Sequence, residues 1–149
     1  MLNIVTGEKN KILRGKSEPV EEITPEILAL VEEMKSTLAV APNGVGLAAP
    51  QVGENLRLFV VSNNVAKDGQ TVFINPEITQ ISKKKIVEEE GCLSLPADWH
   101  ELDRADKVTI KATNEHGRKF KIRVKGILAR LMLHEIDHLN GVLFIDHLK

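Results

Sequence analysis

The spacing of apolar residues marks a helix near the N-terminus. Ile27, Val31, Met34 and Leu38 recur at three- and four-residue intervals, which puts them on one stripe of an α-helix. Thr24 can cap this helix, Pro25 suits its first turn, and Glu26 complements the positive end of its dipole. Pro42-Asn43-Gly44 breaks it. The middle of the chain reads as β. Leu56 to Ser62, Thr71 to Asn75 and Lys84 to Glu89 are rich in apolar and β-branched residues, and Lys67-Asp68-Gly69 signals a turn between the first two. Val108, Ile110 and Ala112 alternate with polar residues, and so do Phe120, Ile122 and Val124. With Asn114-Glu115-His116-Gly117 between them, they predict an antiparallel hairpin with one wet face. The last predicted element is a helix from about Gly126 to Leu139, stopped by Asn140-Gly141. Ile127, Leu128, Leu131, Met132 and Ile136 make it unusually apolar, so it should be the central, buried one. The expected fold class is α+β: antiparallel β-sheets around a central C-terminal core helix, with an N-terminal helix.

Length and composition add bounds to this picture. A chain of 149 residues suits one globular domain over 1–149. Hydrophobic residues make up 42% and charged residues 28%, as in ordinary soluble proteins. Twenty basic residues against twenty-one acidic ones leave a net charge of −1, so the overall balance predicts no grip on nucleic acid or on an anionic membrane. There is one cysteine, Cys92, so no internal disulfide can form. Taken alone, such a cysteine is more often a buried small hydrophobe than a reactive group.

The core helix changes that reading, because it carries His134-Glu135-Ile136-Asp137-His138. Positions i and i+4 share a helix face, so both imidazoles can reach one ion. Glu135 directly follows the first of them, where a general base for a metal-held water belongs. The bland alternative is a pair of satisfied core histidines. Two histidines and two acids within five residues of an apolar helix argue against it, since buried ionisable groups are costly unless paired or ligated. A catalytic zinc or iron site usually takes three protein ligands and keeps one position open. The extended pattern H-E-x-x-H-x-x-G-x-x-H is followed as far as Gly141, but its last position is Phe144, which cannot bind metal. After His138 no glutamate occurs, and Asp146 is the sole carboxylate, with His147 beside it in a short tail. The remaining soft ligand is Cys92, within Glu89-Glu90-Gly91-Cys92-Leu93-Ser94. A thiolate with two imidazoles suits Zn2+ or Fe2+.

Three segments, taken in order, resemble the signatures of the peptide deformylase family. They are Gly44-Val45-Gly46-Leu47-Ala48-Ala49-Pro50-Gln51, Glu90-Gly91-Cys92-Leu93-Ser94 and His134-Glu135-Ile136-Asp137-His138. The resemblance implies removal of the formyl group from the N-terminal formylmethionine of nascent polypeptides. It implies Cys92, His134 and His138 as metal ligands and Glu135 as the catalytic acid and base. The side-chain amide of Gln51 and the backbone N–H of Leu93 would stabilise the oxyanion. Gly46 would let substrate backbone pair along its loop, and Val45, Ile127 and Leu131 would help line the pocket for the methionine side chain. One divalent ion per chain is implied, typically Fe2+, with Zn2+, Ni2+ or Co2+ able to substitute. Such an ion lowers the pKa of its water towards about 7, so that hydroxide is available as the nucleophile near neutral pH.

Two features depart from the family pattern. Leu133 precedes the first histidine where many members have glutamine, and the chain ends at Lys149, where some bacterial members continue into a helix that docks on the ribosome. Proximity to the ribosome is therefore expected to be transient, without that helix, and neither a specific nucleic acid nor a membrane is expected as a partner. The expected location is the bacterial cytoplasm, with a mature organelle enzyme as the alternative. Two further expectations concern surroundings. Asp137 should be buried and paired with Arg104, because an unpaired carboxylate there would be costly. Trp99 and His100 pack on the surface or form a rim for substrate. The competing functional readings are a zincin-like metallopeptidase and a non-catalytic metal-binding relative. The first needs a third ligand after the helix; the second would show loss of Glu135 or Gln51, and both are present.

Overall fold

A computed structural model describes residues 2–148. The N-terminal region holds a single-turn helix α1 (Lys11–Arg14) and the predicted long helix α2 (Pro25–Val40). Thr24 caps α2, its hydroxyl accepting from the Ile27 N–H at 3.3 Å. Val31, Met34 and Leu38 of the apolar stripe are fully buried, and Ile27 is partly so. A short strand β1 (Gly46–Ala48) and a 3-10 turn (Ala49–Val52) follow.

The strands form two antiparallel sheets. The larger joins β1, β2 (Leu58–Val61), β3 (Val72–Ile81), β6 (Lys107–Thr113) and β7 (Lys119–Lys125), in the order β1-β2-β3-β6-β7. The smaller pairs β4 (Lys85–Cys92) with β5 (Leu95–Ala105). The turn between β2 and β3 forms as predicted, with Asp68 and Gly69 at positive φ and Lys67 bridged to Gln70. Strand β3 runs on to Ile81, well past the predicted Asn75, through register shifts against β6. Strand β5 has no counterpart among the predicted elements. Its residues are poor in β-branched types and include Pro96, Asp98 and Asp103, so local propensity does not mark it. Pairing with β4, from Lys85 opposite Ala105 to Gly91 opposite Trp99, makes it a strand.

The apolar run Leu58–Val61 is buried throughout because the large sheet is covered on both faces. Leu58 and Val60 pack in the cluster under α2, while Phe59 and Val61 pack in the cluster under the C-terminal helix. Phe59 stacks on Phe73 with ring centroids 4.7 Å apart. That C-terminal helix, α3, spans Gly126–Leu139, as the apolar pattern predicted. From Ala129 onward, Asp137 is its one residue that is not fully buried. Asn140 caps it and Gly141 follows at φ 74°. The β6–β7 hairpin also forms, with Val108, Ile110, Ala112, Ile122 and Val124 inside and a solvated face outside. Among the described residues, no helix is long and apolar enough to cross a membrane.

Candidate metal centre

Helix α3 holds His134 and His138 one turn apart, with ring centroids separated by 4.9 Å. Strand β4 ends at Cys92, whose Sγ lies 3.3 Å from His138 Nε2. One donor atom from each of Cys92, His134 and His138 lies within 4.8 Å of the other two. Tetrahedral coordination with metal bonds of about 2.0–2.3 Å needs donor separations of roughly 3.3–3.8 Å. The three donors thus fit one ion with only a small contraction. Phe144, where a zincin would place a ligand, is buried and packs against the His134 ring at a centroid distance of 6.0 Å.

The His134 imidazole is oriented by a carboxylate whose importance the sequence did not reveal. His134 Nδ1 donates to Glu90 Oε2 at 2.7 Å, which turns Nε2 towards Cys92 and His138. Glu90 also accepts from Arg104 Nη2 at 2.7 Å and Nε at 3.1 Å, and from Arg130 Nη1 at 3.0 Å. Arg130 Nη2 donates to the Ile86 carbonyl at 2.7 Å. These bonds tie β4 and β5 to α3, and so hold the sulfur-bearing strand against the histidine-bearing helix. Arg104 Nη1 pairs with Asp137 Oδ2 at 2.7 Å, as expected. Asp137 is only half-buried, however, because it sits where α3 meets the C-terminal turn and also faces His147 Nε2 at 2.9 Å.

Burial by itself would raise the Glu90 carboxyl, but hydrogen bonds and charge from His134 and Arg104 overcome it and hold it well below the usual carboxylate range. Burial opposes a charge on His134, yet Cys92 and Glu90 beside it raise its pKa to about 10. Burial, reinforced by the charges of His134 and Arg104, lowers His138 well below its ordinary value and leaves its lone pair free to ligate. Burial raises the Glu135 carboxyl to about 7 despite the opposing charge of His134. Glu135 Oε2 is buried and has no hydrogen-bond partner among the described residues.

Gln51 stands at the 3-10 turn after β1. Its Oε1 accepts from the Ala48 N–H at 2.9 Å, so its NH2 faces the other way. That NH2 donates to Ser94 Oγ at 3.2 Å and approaches Cys92 Sγ at 3.6 Å. Gly46 is required for space: a Cβ there would lie 2.7 Å from Leu131 Cδ1 and 3.1 Å from Glu135 Oε2. A cleft of about 940 Å3 opens onto this site. Val45, Gly46, Gln51, Cys92 and Leu93 line it, as do Ile127, Leu131, His134 and Glu135. His138 lies behind them, 1% exposed. Leu131 forms a buried wall, whereas Val45 and Ile127 stand at the rim. Trp99 also lines the cleft, lying over Gly91, where a Cβ would meet its ring at 2.6 Å. His100 instead packs towards Phe144.

A family model described as polypeptide deformylase matches residues 1–149. The chain belongs to the polypeptide deformylase family. It is 50% identical to the peptide deformylase of Halothermothrix orenii over 135 residues, which cover 91% of this chain and 86% of that protein. Its structure is similar to that of the peptide deformylase from Thermotoga maritima, with a TM-score of 0.92 and 37% identity, covering 100% of this chain and 98% of that one. It is also similar to a Synechococcus elongatus peptide deformylase in complex with actinonin, with a TM-score of 0.90 and 35% identity, covering 99% of this chain and 79% of that one. These deformylase structures share the α+β arrangement, antiparallel sheets with an N-terminal and a C-terminal helix, found here.

Proposed function

We propose that this chain removes the formyl group from the N-terminal formylmethionine of nascent polypeptides, releasing formate. The observation that carries this reading is the meeting of Cys92, His134 and His138 beside Glu135 and the Gln51 amide in one cleft. The donor set suits a divalent ion, which when bound supplies Lewis acidity to a water and to the formyl carbonyl. Fe2+ is the ion we assign on the strength of the resemblance, with Zn2+, Ni2+ or Co2+ as substitutes.

The remaining work falls to the chain's own residues. Glu135 takes a proton from the attacking water; the water oxygen bonds to the formyl carbon. As the carbon–nitrogen bond breaks, the same carboxyl delivers the proton to the departing amine. Its raised pKa of about 7 suits it to both directions of transfer. The Gln51 NH2 and the Leu93 backbone N–H stabilise negative charge developing on the formyl oxygen. Gly46, which has no side chain to obstruct the approach, pairs with substrate backbone. Leu131 forms the wall against which the methionine side chain rests, with Val45 and Ile127 at its entrance. The substrate brings the enzyme transiently near ribosomes in the bacterial cytoplasm.

The test is formate release from a formyl-Met tripeptide by protein carrying one equivalent of metal. The expected result is turnover that Glu135→Ala abolishes without loss of the ion. Metal-loaded wild type that releases no formate would reduce the site to a binding module.

A further inference from the structure

The net charge of −1 hides a marked segregation of charge. The outward face of the β6–β7 hairpin presents Lys107, Lys111, Lys119, Lys121, Arg123 and Lys125, all exposed. No acidic residue lies on either strand. Lys111 pairs with Glu77 of β3 at 3.8 Å; the other five make no ion pair among the described residues. Register places Lys107 directly opposite Lys125, and Lys111 directly opposite Lys121. Like charges facing each other across a ladder weaken the pairing. Lysines on β7 could simply guard an edge strand against aggregation. That account does not cover β6, an inner strand that opposes two of the three edge lysines, Lys121 and Lys125, with lysines of its own.

Two further observations give this face a shape and a direction. A shallow groove of about 460 Å3 runs across it, bordered by Lys107 and Arg123 and by the polar groups of Gln80, Ser82 and Thr109. Cations flanking neutral donors suit phosphate and sugar oxygens. The lysine run Lys83-Lys84-Lys85 adjoins the same end, since Ser82 N–H donates to the Lys107 carbonyl and Asp106 N–H to the Lys84 carbonyl, both at 2.9 Å, with half-buried Asp106 between. Lys125 precedes Ile127, at the cleft rim, by two residues. The smaller sheet has the opposite sign near the cleft, where exposed Glu89 faces exposed Glu101.

We propose that the outward face of the β6–β7 hairpin is a docking surface for the phosphate backbone of RNA, which holds the cleft beside the source of its substrate. RNA is favoured over a lipid surface because Ile81 is the single apolar side chain exposed in the groove, too little to insert into a bilayer. The choice of RNA among polyanions rests on the deformylase reading. The docking itself is measured without turnover.

The test uses metal-loaded full chain and a fluorescently labelled RNA duplex of about twenty base pairs, followed by anisotropy. Four neutralised phosphates imply a slope of log affinity against log salt of about −3.6, or on the order of a hundredfold loss between 50 and 200 mM salt. Replacing Lys107, Lys121, Arg123 and Lys125 together by glutamine should weaken binding at least tenfold and flatten the slope. The same variant should melt no earlier than wild type, because it relieves repulsion, and should release formate from a free peptide at the wild-type rate. Replacing the three lysines by arginine should retain binding. Absence of RNA binding, equal binding by the glutamine variant, or tighter binding to phosphatidylglycerol vesicles than to RNA would each overturn the proposal. RNA binding as described in protein that releases no formate would leave the docking surface standing and remove the deformylase reading.

Discussion

Glu90→Gln should be among the most damaging conservative changes in this protein. The carboxylate accepts four hydrogen bonds, from Arg104 Nε and Nη2, Arg130 Nη1 and His134 Nδ1. An amide keeps one acceptor oxygen. Its NH2 must then face two donors, whichever way it turns. If the NH2 faces Arg104 Nε and Arg130 Nη1, Arg130 loses its one ion pair among the described residues and Arg104 is left with Asp137 alone. If it faces His134, the imidazole can accept only by moving its proton to Nε2, the nitrogen that points at the metal cluster. Breaking one side of a buried ion network costs about 3–5 kcal/mol. At roughly 2–4 °C per kcal/mol for a chain of this size, that is a fall in Tm of about 6–20 °C. Losing the orienting partner of a ligating histidine should also weaken metal affinity about 10–100-fold. Calorimetry on metal-loaded protein reads the first effect, and competition with a chromogenic chelator reads the second. The exposed neighbour Glu89→Gln is the control and should change neither. A Glu90→Gln protein that melts within 2 °C of wild type and keeps its metal within twofold, on about the scale of an exposed substitution, would refute this account of the network.

Other outcomes follow from the same geometry. Gln51→Ala should lower kcat by about 10²–10³-fold while metal content is unchanged, because the donor proposed for the developing oxyanion is lost; steady-state kinetics with elemental analysis decide it. Gly46→Ala should lower activity through crowding, since its methyl would press on Leu131 and Glu135, and a crystal structure should show one of them displaced. Cys92→Ser should release the ion to chelators far more readily than wild type; equal retention would favour a peptidase-like ligand set. Glu90 has a depressed folded-state pKa, so its stabilising contribution is fully present above its ordinary value of 4.5 and is lost as pH falls towards the folded value. Wild-type Tm should therefore drop steeply below about pH 4.5, and Glu90→Gln should drop less steeply, as thermal melts across that range will show.

What could be read from the sequence was local or repeated. Helix α3 was legible because its apolar residues and its i, i+4 histidines obey one period, and the hairpin β6–β7 because its alternation is strict. Strand β5 was not, since its conformation depends on pairing along β4 more than on its own residues. Elements α1 and β1, of four and three residues, are too short to carry a period. Glu90 shows the same limit at the site. In the sequence it is one letter of a motif centred on Cys92; in the fold it is the common acceptor for Arg104, Arg130 and His134, which lie 14, 40 and 44 residues away. Its neighbour Glu89, chemically identical, faces solvent instead. Alternation along β4 separates their fates: one side of that strand meets α3 and the other meets water, so a shift of one position would exchange them. Charge follows the same logic. A total of −1 is compatible with an even surface or with a cationic sheet face beside an anionic ribbon. Register, by stacking lysine on lysine across β6 and β7 and glutamate on glutamate across β4 and β5, selects the second. The candidate ligands His134 and His138 could therefore be named from spacing, whereas the groups around them, and the surface proposed to bring substrate near, depend on which strand lies beside which.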